Sequence, residues 1–269
     1  MVLRQKPSMG PLSEYLERVK QLPEVWDLTS GAERPGEERR LWFRGHQDAA
    51  WKLTPRLYRQ PFAGAEESEI RQEFQRRAPL SIPGRLPINK WEWYFLMQHY
   101  GAPTRLLDWT ENPLVAMYFA VVGHQRKTDA AVWVLDPWWL NPKLKRGIEG
   151  PMLSEWKEAD AYLPDLEAAF AGKRVTVRLP AAIEPPQVDR RMEAQASRFV
   201  IFGTTKDLMR TRAASTGPPR RKHVAIIRIA STQIKEVQRD LEQYGVTASS
   251  VFPDLEGLCR EICSKWKKR

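Results

Sequence analysis

The densest chemistry in the chain lies in residues 98–113, which read Gln-His-Tyr-Gly-Ala-Pro-Thr-Arg-Leu-Leu-Asp-Trp-Thr-Glu-Asn-Pro. One short stretch supplies an imidazole (His99), a phenol (Tyr100), a guanidinium (Arg105), a carboxylate (Asp108) and two hydroxyls (Thr104, Thr110). These are the groups of anion binding and of general acid–base work. Residues 114–122 follow without a single charge, so the polar groups stand at the edge of a core. Desolvating an ion costs several kcal/mol, and charges at such an edge therefore mark a candidate site. Arg105 and Asp108 face opposite ways if this stretch is a strand, or pair with each other if it is a tight turn.

Two further segments carry candidates. In Trp42-Phe43-Arg44-Gly45-His46-Gln47, strand alternation turns Phe43 and Arg44 to opposite faces. Arg44 can grip a phosphate or carboxylate with two parallel hydrogen bonds, or serve as the partner of an internal acid. Gly45 permits close approach of a ligand or of another backbone. In residues 190–199, Glu193 and Gln195 precede a strand, where a carboxylate or amide can meet a ribose hydroxyl or orient a nucleophile.

The elements that must position these groups follow from periodicity. Residues 11–25, 66–77 and 90–100 read as helices, and Gly101 stops the last of them. Asn112 caps a further helix that starts at Pro113 and is apolar nearly all round, hence central. Strands are expected at 41–45, 130–135, 175–179, 199–202 and 223–229, a helix in two pieces at 154–170, and closing helices at 232–244 and 253–268. The mixture lacks a strict βαβ rhythm. It points to an α+β fold in a single compact domain, with a mixed or antiparallel sheet, a buried central helix after Asn112 and flanking helices. Residues 1–36 read as an N-terminal helix and loop, and residues 37–269 as the main domain.

Bulk composition narrows the classes. The 269 residues are 42% hydrophobic and 28% charged, as in ordinary globular proteins, and no apolar run is long enough to span a bilayer. The absence of a secretory h-region and the presence of only Cys259 and Cys263 lead us to expect a cytoplasmic protein without membrane attachment. The net charge of +10 favours anionic partners, and residues 210–222, basic and rich in Ser, Thr, Gly and Pro, could contact nucleic acid. The chain has no GxGxxG, GxxxxGK[ST], HExxH or GxSxG motif, and its four histidines are scattered, so no metal is expected. The oligomeric state is not legible. Of the 11 tryptophans, Trp91, Trp93, Trp109 and Trp133 fall in periodic apolar segments and read as core.

Together the segments resemble the FRG domain family. Phe43-Arg44-Gly45, followed by the aromatic, proline and arginine run Trp51 to Arg56, resembles its N-terminal signature, residues 99–110 its central motif, residues 195–199 its Gln-x-Gly-x-Phe element with Ser197 in place of the glycine, and residues 252–258 its closing motif. The family recurs in bacterial and phage proteins. Its layout is similar to that of ADP-ribosyltransferases, which implies an NAD-using transferase of the toxin or phage-defence kind. On that resemblance Arg44 would grip NAD, His46, His99, Tyr100, Thr104, Arg105, Thr110 and Gly45 would line the pocket, Asp108 would orient an arginine, and Glu193 or Gln195 would touch the ribose. The alternative is a non-catalytic module that binds a nucleotide or nucleic acid.

Overall fold

The computed structural model describes residues 9–26, 28, 39–63, 66–82, 84–124, 127–141, 150–186, 190–208 and 223–266. The basic segment 210–222 lies outside them. Seven strands form one mixed sheet: β1 (Trp42–His46), β2 (Leu106–Thr110), β3 (Ala130–Leu135), β4 (Met152–Leu153), β5 (Ala181–Glu184), β6 (Ser197–Ile201) and β7 (Val224–Ile229), in the order β4-β5-β6-β2-β1-β3-β7. All neighbours are antiparallel except β4 and β5. The architecture is the expected α+β arrangement.

One pairing differs from the rest. β1 runs beside β3 over five consecutive residues, from Trp42–Leu135 to His46–Ala131. Against β2 it has a single pair, Phe43–Thr110. The two halves of the sheet are therefore hinged on one contact and part beyond it.

Helices cover one face on either side of that parting. Over β1 and β3 lies α4 (Pro113–Val121), capped by the Asn112 side chain, which accepts from the amides of Leu114 and Val115. Its Val115, Ala116, Met117 and Val121 are buried in one cluster with Phe43, Val132 and Val134. Two more helices close that cluster from outside, α1 (Pro11–Val25) through Leu12 and Tyr15, and α7 (Ile234–Gln243) through Ile234, Val237 and Leu241. Over β2 and β6 lies α3 (Lys90–His99), whose Trp91, Tyr94 and Phe95 bury with Leu106, Phe199 and Ile183. Behind α3 stands α2 (Glu67–Arg77). The opposite sheet face is covered by Leu53, Leu140, Phe202 and Leu208 over Trp42, Leu107 and Trp109. The remaining helices are α5 (Leu166–Phe170), α6 (Arg190–Ala194), α8 (Ala248–Val251) and α9 (Leu255–Trp266).

The strand expected at 175–179 is not part of the sheet. The strand there is β5, at Ala181–Glu184, while Val177 and Arg178 accept from the amides of Thr204 and Thr205 as an extended flank. The helix expected over 154–170 is reduced to a turn at Ala159–Ala161 and α5. Among the described residues no helix is long and apolar enough to cross a membrane, and no group of three metal-ligating side chains could hold an ion.

Gly45 sets the distance between β1 and α4. A Cβ there would lie 2.0 Å from the Ala116 carbonyl and 2.5 Å from the Ala120 amide. Both are helix backbone atoms that cannot step aside. Gly45→Ala is therefore expected to cost about 3 kcal/mol or more by overpacking, read as a fall in the denaturant midpoint. A midpoint equal to wild type would contradict this packing.

Candidate functional site

The parting of β1 and β2 opens a cleft of about 580 Å³ between α3 and α4. Because strand faces alternate, Phe43 and Gly45 meet α4, while Arg44 leaves β1 on the other face. Its guanidinium bends into the gap between the strands. Nη1 donates to the main-chain carbonyl of Asp108, a group whose edge of β2 faces β1, and lies 3.5 Å from the Asp108 carboxylate. Nε donates to His46 Nε2 at 3.0 Å. That bond fixes the tautomer, because an accepting Nε2 leaves the ring proton on Nδ1. Burial, and then the charge of Arg44, push the His46 imidazole down to about 3, so the ring is neutral. Burial lowers the pKa of Arg44 and the neighbouring Asp108 pulls it back up.

Asp108 is held from the other side by α3. Gln98 Nε2 reaches both carboxylate oxygens at 2.9 Å, and the Gln98 carbonyl accepts from the buried Thr104 hydroxyl. The Asp108 side chain nevertheless stays 57% exposed, facing the cleft. Thr110 fixes the far wall: its hydroxyl donates to the Gln195 carbonyl at 2.6 Å and accepts from the Asn112 amide at 2.9 Å. Gln195 lines the cleft and donates to the Val251 carbonyl at 3.1 Å. Beside it Ala196 holds φ at 43°, a left-handed conformation that costs an alanine about 1–2 kcal/mol. Ala196 is bonded through its carbonyl to the Glu111 amide.

The expected site residues divide into two groups. Arg44, Gly45, His99, Asp108, Thr110 and Gln195 line the cleft. The others do not. Arg105 is turned into a closed core on the α2 side. Its Nε donates to Glu67 at 2.8 Å and its other nitrogens donate to the carbonyls of Phe202 and Tyr162, while its main-chain amide donates to the Tyr94 hydroxyl, which donates in turn to Glu67. Arg105, just before β2, holds Glu67, while Asp108, within β2, is held by Gln98 and Arg44. Glu193 is exposed on α6, away from the cleft, and Tyr100 is exposed toward the grooves outside it. Thr104 and His46 act from behind, on Gln98 and Arg44. The smallness of Gly45 is taken up by helix backbone, which resolves the choice between ligand and backbone approach.

Sequence reasoning assigned no role to Arg56, Arg59, Arg191, Trp51 or Gln98, all of which line the cleft. Arg56 donates to the Gly101 carbonyl and stacks 5.1 Å over Phe62, and Arg191 stacks 4.5 Å over Phe252. Among the described lining residues are four arginines, Arg44, Arg56, Arg59 and Arg191, and one carboxylate, Asp108. Such a lining carries an excess of positive charge.

The buried neutral His46 makes stability pH-dependent. Below about pH 6.5 the unfolded chain protonates this imidazole and the folded chain does not until about pH 3. The folded state therefore loses stability as pH falls through that window, by up to about 1.4 kcal/mol per unit. His46→Gln is expected to flatten the slope of unfolding free energy between pH 4 and 6. Equal slopes in the two proteins would contradict it.

No curated protein and no solved structure matches the chain. Residues 39–129 match the FRG domain. That span holds β1, β2, α4, Arg44 and Asp108, and stops before Gln195 and the closing motif. The match supports the resemblance to the FRG domain family over residues 39–129.

Proposed function

We propose that the cleft binds NAD and that the protein transfers ADP-ribose from it to an acceptor. The supporting observation is the convergence of Arg44, Arg56, Arg59 and Arg191 on a cavity whose one carboxylate, Asp108, is half exposed at the strand gap. The lining suits the ligand. Guanidiniums recognise phosphate oxygens in paired bonds, and the volume is in the range of about 300–1,000 Å³ usual for small-molecule sites.

NAD supplies a glycosidic bond whose cleavage builds positive charge on the ribose. The rest falls to the chain. Arg44, locked by His46 and the Asp108 carbonyl, holds the phosphates with little reorganisation. Asp108, fixed by Gln98, presents a preorganised negative charge to the developing positive one, the arrangement that contributes most in electrostatic catalysis. Gln195, anchored by Thr110 and Val251, offers an amide to a ribose hydroxyl. The remaining expected carboxylate, Glu193, has no part in this reading, because it stands outside the cleft.

The test is NAD titration by calorimetry together with nicotinamide release. Arg44→Lys loses the paired bonds and is expected to weaken NAD binding by about tenfold or more. Asp108→Asn is expected to bind NAD within about threefold of wild type and to release nicotinamide at least about a hundredfold more slowly. A wild-type protein that binds no NAD would contradict the proposal. Binding without any release would leave a nucleotide-binding module in its place.

A further inference from the structure

Beside the cleft lies a second cavity of about 640 Å³, which shares Trp51 and Arg59 with the first. Lys52, Thr54, Tyr58, Lys206 and Asp207 complete its wall. The wall is built by two chain segments held side by side. The Leu208 amide donates to the Leu53 carbonyl at 3.4 Å, and the Tyr58 hydroxyl donates to the Gly203 carbonyl at 2.6 Å. Leu53 and Leu208 are fully buried, which anchors both segments and leaves the neighbouring Lys52 and Lys206 at the surface. Lys206 sits 5.5 Å from the centroid of the Tyr58 ring. The cavity thus carries Lys52, Arg59 and Lys206 against Asp207, with an exposed indole where it joins the cleft.

We propose that this second cavity is the acceptor site and that it takes single-stranded nucleic acid, with backbone phosphates on Lys52 and Lys206 and a base against Trp51. The inference rests on the reading of the cleft as the NAD site, since transfer needs an acceptor held at the cleft's edge. Cations lining a groove beside an exposed aromatic face are the elements of single-strand binding. An acidic peptide would satisfy the charges and make no use of the exposed indole face. In the transfer, the bond from ribose C1′ to the nicotinamide nitrogen breaks and its electron pair leaves with nicotinamide. A hydroxyl or amine of the nucleic acid forms the new bond to C1′ and releases its proton to water.

Lys52 and Lys206 are exposed, so the variant Lys52→Ala/Lys206→Ala is expected to fold as wild type. The experiment measures fluorescence anisotropy of a labelled single-stranded oligonucleotide across a salt series, with calorimetric NAD titration run beside it. The double variant is expected to bind the oligonucleotide about tenfold or more weakly, to lower the salt slope by about 1.4, and to bind NAD unchanged. Oligonucleotide binding equal to wild type, or a poly-glutamate peptide that binds as tightly as the oligonucleotide, would overturn the proposal. A wild-type protein that binds NAD and no oligonucleotide overturns this proposal alone. One that binds the oligonucleotide through these lysines and binds no NAD overturns the acceptor role together with the reading of the cleft.

Discussion

The architecture turns on a β-ladder that stops after one pair. β1 and β2 meet at Phe43–Thr110 and then part, which would leave polar main chain facing a gap. A strand carbonyl left without a ladder partner takes one from a side chain or from water. The Arg44 guanidinium supplies one to Asp108 and, in doing so, occupies the gap with a cation. The surrounding contacts keep the strands apart: α4 presses on β1 at Gly45, Gln98 of α3 holds the Asp108 carboxylate, and Thr110 ties the end of β2 to Gln195. The cleft is thus a consequence of how the sheet is joined.

Two arginines of the chain illustrate the difference between structural and open charge. Arg105 is buried, and every one of its partners is internal: Glu67, the Phe202 and Tyr162 carbonyls, and the Tyr94 hydroxyl at its amide. Removing one side of such a pair costs about 3–5 kcal/mol, which is reason enough for its presence. Arg44 is held by one neutral imidazole and one carbonyl, with a carboxylate only at the 3.5 Å limit. Arg56, Arg59 and Arg191 add further positive charge along the cleft.

Much of this was legible in the sequence where local chemistry decides. The Asn112-Pro113 start, the charge-free run after it and the Gly101 stop placed α4 and the end of α3. The alternation in β1 put Arg44 opposite Phe43. What was not legible depended on partners distant in the chain. Whether Arg105 or Asp108 faced a cleft could not be read without the register of β2 against β6 and the position of Glu67. The alternating residues 175–179 look more like a strand than Ala181–Glu184 does. Yet Gly203 lets the Val177 carbonyl approach to where a Cβ would be 2.1 Å away, and the flank closes there without joining the sheet. Arg191 stands far from Arg56 and Arg59 in sequence, and only the fold brings the three together.

The central claim is that Arg44 is an anion-gripping group in an open cleft. The most direct measurement follows the side-chain Nε–H resonance of Arg44 by nitrogen-15 NMR during titration with ADP-ribose, with the resonance assigned through Arg44→Lys. The account predicts a shift in this resonance that saturates with the ligand, while the Arg105 resonance, closed in its core, stays in place. Saturation of other sites with the Arg44 resonance unmoved would contradict it.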